Sequence, residues 1–380
     1  MRVGFYSDAY YLPTGYGRNT LNLMSRLKDI CGHEVFEISP NHIGPPIEPV
    51  AGMPSFDGRT GPMTVRLIRK LKPDVMIHIR DNWSFIRRWQ PPGYHLWPAC
   101  KSVGAKLINY TPIESCPMPL DLVDTVTSEG DLTIVHAKWC VDQLVAQGAP
   151  EDRLRVLRHG VEPRIFHPGV GDRKAAGLPD GEMLLQVASN TERKMVPLTF
   201  IVLKKLIDSG RDAFLYYHGP RQGFFSLDTH ANALGLAGKK RIFVKATDDP
   251  SPVNLDGFED RAMANLYRTA DVYVTTTAGE GEGVPILEAL ASGLPTVMTD
   301  TPILRELYGT FPHAYFIKSK QEFPTPWGFD WIADTDSGAD LVNRAMADPR
   351  PTTVEVPSYF KWDNITRTLE GYLEEVSGRK

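Results

Sequence analysis

Only four cysteines occur in 380 residues, Cys31, Cys100, Cys116 and Cys140, and none forms a C-x-x-C pair. That scatter argues against a disulfide framework or a zinc site and fits free thiols in a reducing compartment. No apolar run is long enough to span a bilayer, and the chain opens on strand-like residues, Met1-Arg-Val-Gly-Phe-Tyr6, rather than on a leader. A cytoplasmic protein with no stable membrane anchor is expected. An excess of one charge is also missing: the net charge is −4, with 19 Lys/Arg against 17 Asp/Glu in residues 1–170 and 23 against 29 in the remainder. No internal repeat or coiled-coil pattern is present. With 42% hydrophobic residues and a length beyond what one core holds comfortably, two domains are expected.

What is present is a strand–helix rhythm, clearest in Thr275–Asp300. A β-rich run, Val272–Thr277, leads into the turn Gly279-Glu-Gly-Glu-Gly283. Pro285 suits a first helical turn, the spacing predicts a helix over Ile286–Ser292 that stops at Gly293, and a short strand Pro295–Met298 follows. A helix that opens on glycines presents unpaired N–H groups, here those near Gly283 and Val284, and these suit a phosphate. A carboxylate does not bind phosphate. Glu280 in the turn and Glu288 in the helix therefore point to hydroxyls, such as those of a sugar and a ribose. The plain alternative is an ordinary βαβ turn in which Glu288 merely complements the helix N-terminus.

The string E-G-E-G-V-P-I-L-E-A-L-A-S-G resembles the E-x(7)-E signature of the retaining GT-B glycosyltransferases, family 4, also called glycosyl transferases group 1. Glu280 and Glu288 match its two glutamates, and Glu282 stands where the family usually has Phe or Trp. The resemblance implies an α/β protein of GT-B fold, two Rossmann-like domains with parallel sheets facing across a cleft. Residues 1–168 would be the acceptor-side domain, 169–181 a Gly/Pro/charge-rich linker, 182–356 the nucleotide-sugar domain, and 357–380 a helix crossing back to the first domain. His159-Gly-Val-Glu-Pro-Arg-Ile-Phe166 resembles the family's "HGVD…F.P" segment, with Glu162 for the usual Asp. In the loop Ser189-Asn-Thr-Glu-Arg-Lys194, Arg193 and Lys194 match the cations that hold the donor diphosphate in that family. A further Arg, usual there, is replaced by Ala188 or Ser189. Asp260–Ala270 and Asp271-Val-Tyr-Val resemble the family's "l..lY..ADv.v" run.

In the first half, Asp8–Thr20 reads as a turn-rich loop and Leu21–Leu27 as helical. Gly15 and Gly17 do not make a G-x-G-x-x-G pattern, so a plain βα turn competes with an anion-binding loop. They match the family's glycine loop, with Arg18 following as a phosphate or acceptor contact. Ser39–Gly61 reads as an irregular excursion. His78 and Asp81 lie at the end of one expected strand and Tyr110 and Glu114 at the end of another, which makes them acceptor-side candidates. Arg59, Arg66, Arg69, Lys70, Arg80, Arg87 and Arg88 form a basic set interleaved with Trp83 and Trp89. It is either a solvated face or a surface for an anionic lipid or a modified nucleic acid. Asp334-Thr-Asp336 lies in a late polar stretch and is not read as a metal motif, and the 246–257 loop leaves the nucleotide base unread.

The expected function is transfer of a sugar from a nucleotide diphosphate sugar to an acceptor hydroxyl with retention, using that donor as co-substrate and neither cofactor nor metal. The resemblance implies that Glu280 positions a donor-sugar hydroxyl and Glu288 the ribose, and that the leaving phosphate takes the acceptor proton on the same face. Arg193, Lys194, the N–H groups near Gly283–Val284 and the first glycine loop would stabilise the departing diphosphate. Two other readings stay open: a GT-B-fold sugar-nucleotide epimerase or hydrolase, and a non-catalytic nucleotide-sugar-binding protein.

Overall fold

The computed structural model describes residues 1–85, 95–174, 178–237, 241–245 and 259–379. Arg87, Arg88, Trp89 and the 246–257 loop lie outside the described residues. The chain divides into two compact units, Met1–Gly160 with Pro357–Lys380, and Val161–Val356. The first unit begins β1 (Arg2–Tyr6), α1 (Gly15–Asp29), β2 (Glu34–Ser39), β3 (Ile47–Val50), β4 (Met53–Asp57) and α2 (Gly61–Leu71). It continues β5 (Val75–Ile79), α3 (Leu96–Val103), β6 (Lys106–Tyr110), α4 (Leu120–Ser128), β7 (Leu132–Val135), α5 (Lys138–Ala146) and β8 (Leu154–Val156). The second unit runs β9 (Glu182–Val187), α6 (Val196–Asp208), β10 (Ala213–His218), α7 (Leu227–Ala233), β11 (Ile242–Lys245), α8 (Asp260–Thr269) and β12 (Val272–Thr275). Then come α9 (Val284–Ala291), β13 (Thr296–Thr299), α10 (Pro302–Tyr308), β14 (Ala314–Ile317), β15 (Ser319–Thr325), β16 (Gly328–Ala333) and α11 (Thr335–Ala347). The last helix, α12 (Trp362–Ser377), belongs to the first unit.

Both sheets are built from short apolar strands such as Val75-Met-Ile-His-Ile79, buried along its whole length as a parallel strand covered on two faces must be. The first sheet has the order β3-β4-β2-β1-β5-β6-β7-β8, parallel throughout except for the β3–β4 edge pair. The second has the order β11-β10-β9-β12-β13-β14, all parallel. In each sheet the order reverses beside its first strand, at β1/β5 and at β9/β12. There the connections leave to opposite sides and open a crevice at the strand C-termini, the usual ligand position in such folds. β15 and β16 form a separate antiparallel hairpin, and Trp331 N–H donates to Ala278 O at 2.8 Å, fastening it to the loop after β12.

Several expectations need correction. The expected excursion over residues 39–61 contains β3 and β4, and it has a fixed job. Asn41 Oδ1 accepts from Ala9 N–H at 2.8 Å, Glu37 Oε1 from Tyr10 N–H at 2.9 Å, and Met53 O from the Tyr10 hydroxyl at 2.6 Å, so this edge holds the loop after β1. Burial pushes the Glu37 carboxyl up to about 8. The first unit ends at Gly160 rather than at residue 168. Arg268 donates to Ile165 O and His167 O, which binds the 161–168 stretch to α8. The expected linker is likewise anchored, because Arg173 reaches Thr269 O and the Asp271 carboxylate at 2.9 Å each. At the other end of the second unit the chain returns, and α12 buries Trp362, Ile365, Leu369 and Leu373 in the core shared by α1, β1, β5 and β6.

Gly15 and Gly17 lie inside α1 rather than in a free loop. Thr14 caps the helix, its hydroxyl accepting from Gly17 N–H at 3.0 Å. A Cβ on Gly17 would sit 2.5 Å from Leu12 O and 2.8 Å from Ala9 O, whereas one on Gly15 meets nothing within 4 Å. Gly17 is thus demanded by close backbone approach, and Gly15 is not. Gly17→Ala is expected to destabilise the first unit by about 1–3 kcal/mol through overpacking against backbone, and Gly15→Ala to change stability by no more than about 0.5 kcal/mol. Chemical denaturation of the two variants checks this.

Candidate functional site

The crevice of the second unit is shaped by two loops that follow neighbouring strands. After β9 the chain makes a 3-10 turn at Glu192–Lys194 and then enters α6 through Met195, whose φ of 43° lies in the left-handed region. A non-glycine residue there costs about 1–2 kcal/mol, so surrounding contacts must hold it. They do: the Thr276 hydroxyl donates to Met195 O at 3.0 Å, and Ala278 N–H donates to Arg193 O at 2.7 Å. The Thr277 hydroxyl reaches Gly279 O at 2.8 Å. The loop after β12 is thereby stitched to the loop after β9, and the residues the sequence kept 86 positions apart are brought together.

Glu280 lies between the two cations. Lys194 Nζ meets its Oε1, Arg193 Nη1 meets its Oε2 at 3.1 Å, and the same Nη1 donates to Gly279 O at 2.7 Å. Glu280 as a residue is 7% exposed. Burial alone would push its pKa up, but the charges and hydrogen bonds of Lys194 and Arg193 together outweigh that and hold it below the ordinary carboxylate value. Arg193, Lys194 and Glu280 are thus one cluster.

Glu288 is held by a different set. It is buried inside α9, and the Tyr267 hydroxyl donates to its Oε2 at 2.9 Å. The Tyr267 ring is packed edge-on by Phe166, centroids 6.1 Å apart, which gives the Phe of the "HGVE…F" segment a physical task. Arg350 donates to the carbonyls of Tyr267, Arg268 and Ala270 and of Ser292 and Gly293, capping the C-terminal ends of α8 and α9 together. Tyr273 donates to Val187 O at 3.2 Å. Burial first, then the nearby Glu280 charge, drives its phenol well above the usual value, so it stays protonated. The turn before α9 is fixed by Tyr308, whose hydroxyl reaches Glu282 O at 2.7 Å, and Glu282 itself is buried. Among these tyrosines Tyr267 and Tyr273 fall within the run that resembles a family pattern, Tyr267 at its fixed Tyr, whereas Tyr308 carried no local signal.

The first unit's candidates separate. At its own crevice Arg80 pairs with Asp8 at 2.9 Å, the Thr14 hydroxyl donates to Asp8 at 2.8 Å, and Tyr16 donates to Asp81 at 2.5 Å. Arg18 is half-buried in the first turn of α1, and Glu114 is half-buried after β6. His78 is fully buried, packed against Tyr6 and 3.3 Å from the Ser84 hydroxyl, and burial first, then Arg80, lowers its pKa well below the usual value. Tyr110 is buried against the His136 and His159 rings, its hydroxyl on Leu157 O at 3.1 Å. Both therefore stand as core side chains. The basic set is dispersed as well: Arg80 is engaged at the crevice, Arg59 chelates Asp57, Trp83 lies in the turn Asn82–Phe85, and Arg66, Arg69 and Lys70 are exposed on α2. Asp334 caps α11 by accepting from Asp336 and Ser337 N–H, and Asp336 pairs with Lys205, a helix-start role for the D-x-D.

Gly283 ends the turn in the left-handed region, φ 76°, and a Cβ there would stand 2.8 Å from Ile286 Cδ1. Gly283→Ala is expected to cost about 1–2 kcal/mol from backbone strain alone, read as a lower melting temperature of the second unit by calorimetry.

Residues 250–323 match the model of the family Glycosyl transferases group 1. An uncharacterized glycosyltransferase of Methanocaldococcus jannaschii is 27% identical over 241 residues, 60% of this chain and 57% of its own length. The alignment therefore spans little more than half of that relative. Among solved structures, sucrose-phosphate synthase from Thermosynechococcus elongatus aligns over 100% of both chains with a TM-score of 0.77 and 14% identity. An Anabaena protein crystallised with UDP and glucose aligns over 98% of this chain and 99% of its own with a TM-score of 0.69 and 13% identity. The strand order and these structural matches converge on the GT-B fold, and residues 250–323, which hold Glu280 and Glu288, match the glycosyl transferases group 1 model.

Proposed function

We propose that the chain transfers a glycosyl group from a nucleotide diphosphate sugar to an acceptor hydroxyl with retention at the anomeric carbon. The observation that carries this reading is the pair Arg193–Lys194 at the β9/β12 reversal, beside a helix that opens on Gly283-Val-Pro285. Two cations and the backbone N–H groups of Gly283 and Val284 in one crevice suit a diphosphate. The buried carboxylates of Glu280 and Glu288 suit the hydroxyls at its two ends. A solved neighbour crystallised with UDP and glucose supports a donor of that chemistry.

In the reaction the bond between the anomeric carbon and the β-phosphate oxygen breaks, and a bond to the acceptor oxygen forms on the same face. The acceptor proton passes to the departing phosphate. Arg193, Lys194 and the N–H groups at the start of α9 stabilise the negative charge that develops, and preorganised donors of this kind contribute roughly 3–4 kcal/mol each. Glu280 orients the donor sugar and Glu288 the ribose. Compensation built from side chains and helix N–H groups leaves no step that needs a divalent ion. Asp81, Glu114 and Arg18 remain the acceptor-side candidates, with a neutral or small-molecule hydroxyl ranked before an anionic lipid and a modified nucleic acid.

The test is turnover of a panel of nucleotide sugars with and without simple hydroxyl acceptors. Acceptor-dependent release of nucleoside diphosphate is expected, whereas release with donor alone and epimerised sugar as product would identify the epimerase instead. Lys194→Ala should weaken nucleoside diphosphate binding about tenfold or more, as loss of one charge-assisted contact does, measured by titration calorimetry. Activity should persist in EDTA, and a complete loss restored by Mg²⁺ or Mn²⁺ would overturn the metal-free reading.

A further inference from the structure

The cations assigned above to the diphosphate already hold a carboxylate. Lys194 Nζ is on Glu280 Oε1 and Arg193 Nη1 is 3.1 Å from Oε2, in a cluster whose side chains are 14%, 28% and 9% exposed for Lys194, Arg193 and Glu280. A diphosphate that reached the same cations would bring two or three negative charges beside that carboxylate. Like charges at contact distance in a partly buried site repel strongly. The Lys194 ammonium is a point charge that can turn to either partner.

We propose that Glu280 is a resident counter-ion of the ligand-free site, and that an arriving diphosphate displaces it from Lys194. This inference rests on the donor-site reading above. The exchange has a built-in pivot. Arg193 Nη1 also donates to Gly279 O, Ala278 N–H donates to Arg193 O, and Trp331 N–H donates to Ala278 O, so the backbone on the N-terminal side of Glu280 stays hung while its carboxylate leaves. On the other side the chain turns through Gly283, held by the Tyr308 hydroxyl on Glu282 O. The displaced carboxylate is then available to hydroxyls only when phosphate is bound. Glu280 thus ties the two halves of the donor together: phosphate occupancy releases the group that grips the sugar. The ion pair also sets a threshold, because an anion too weak to outcompete Glu280 does not occupy the cations. By linkage, the coupling between phosphate and the Glu280–Lys194 pair is negative and reciprocal.

The experiment is calorimetric titration with two probes, inorganic pyrophosphate and UDP, on wild type, Glu280→Gln, Lys194→Ala and the double variant. Glu280→Gln keeps the shape and removes the charge. It is expected to bind both probes about fivefold to twentyfold more tightly than wild type, within the usual range of coupling between sites. That gain should vanish in the Lys194→Ala background, the signature of a direct pair in a double-mutant cycle. If the Gln variant proves unfolded by circular dichroism, Glu280→Asp replaces it: the shorter carboxylate reaches Lys194 less well, and a smaller gain of the same sign is expected. Unchanged or weaker binding by the charge-removed variant, with Lys194→Ala still weakening both probes, would overturn the counter-ion and leave the donor site standing. No effect of Lys194→Ala in either background would overturn both.

Discussion

The second unit depends on where two opposite charges are allowed to meet. β9 and β12 lie side by side, yet the chain leaves them toward opposite edges of the sheet. At the point of divergence the loop after one strand takes partners from the loop after the other. The Arg193–Lys194–Glu280 cluster fills that role, tying the first loop to the second and tolerating the left-handed Met195 between them. An ion pair at such a place is a weak source of net stability, because desolvation offsets much of its attraction. Its value is that it fixes which loop faces which.

The first unit arrives at a related solution with the signs exchanged. At the β1/β5 reversal the carboxylate, Asp8, comes from the loop after the first strand and the cation, Arg80, from the loop after its neighbour. At β9/β12 the cations come first and the carboxylate second. The strand order repeats between the units although the sequence shows no internal repeat. A shared topology requires only apolar strands, caps and turns in the right sequence order, and many unrelated strings satisfy that.

What the sequence disclosed was local. The turn Gly279–Gly283, the helix after it and the glycine stop at Gly293 sit within a few residues of one another, and propensity and capping alone define them; helix and strand limits move by a residue or two, to Val284–Ala291 and Thr296–Thr299. The meeting of Lys194 with Glu280 was not legible, because it depends on β9 lying next to β12 rather than next to a sequence neighbour. The same holds for Tyr308 on Glu282 O and for Phe166 on Tyr267. Gly15 and Gly17 have the composition of a ligand loop, and composition did not reveal that Gly17 also answers to packing, because Leu12 O and Ala9 O would crowd a Cβ there. His78 and Tyr110 sat at strand ends, where ligand residues are sought, yet strand alternation turned their side chains into the core.

The return of the chain to its first unit has a consequence for synthesis. The second unit is continuous, Val161–Val356, whereas the first needs α12 to cover α1. Trp362, Ile365, Leu369 and Leu373 together represent burial of about 1.5–3 kcal/mol per side chain, a large share of a typical domain's margin of about 5–15 kcal/mol. On the ribosome, where folding proceeds from the N-terminus as residues emerge, the unit made first is therefore the unit completed last. Until Ser377 has cleared the exit tunnel, the apolar face of α1 waits without its cover while the second unit, already whole, folds beside it.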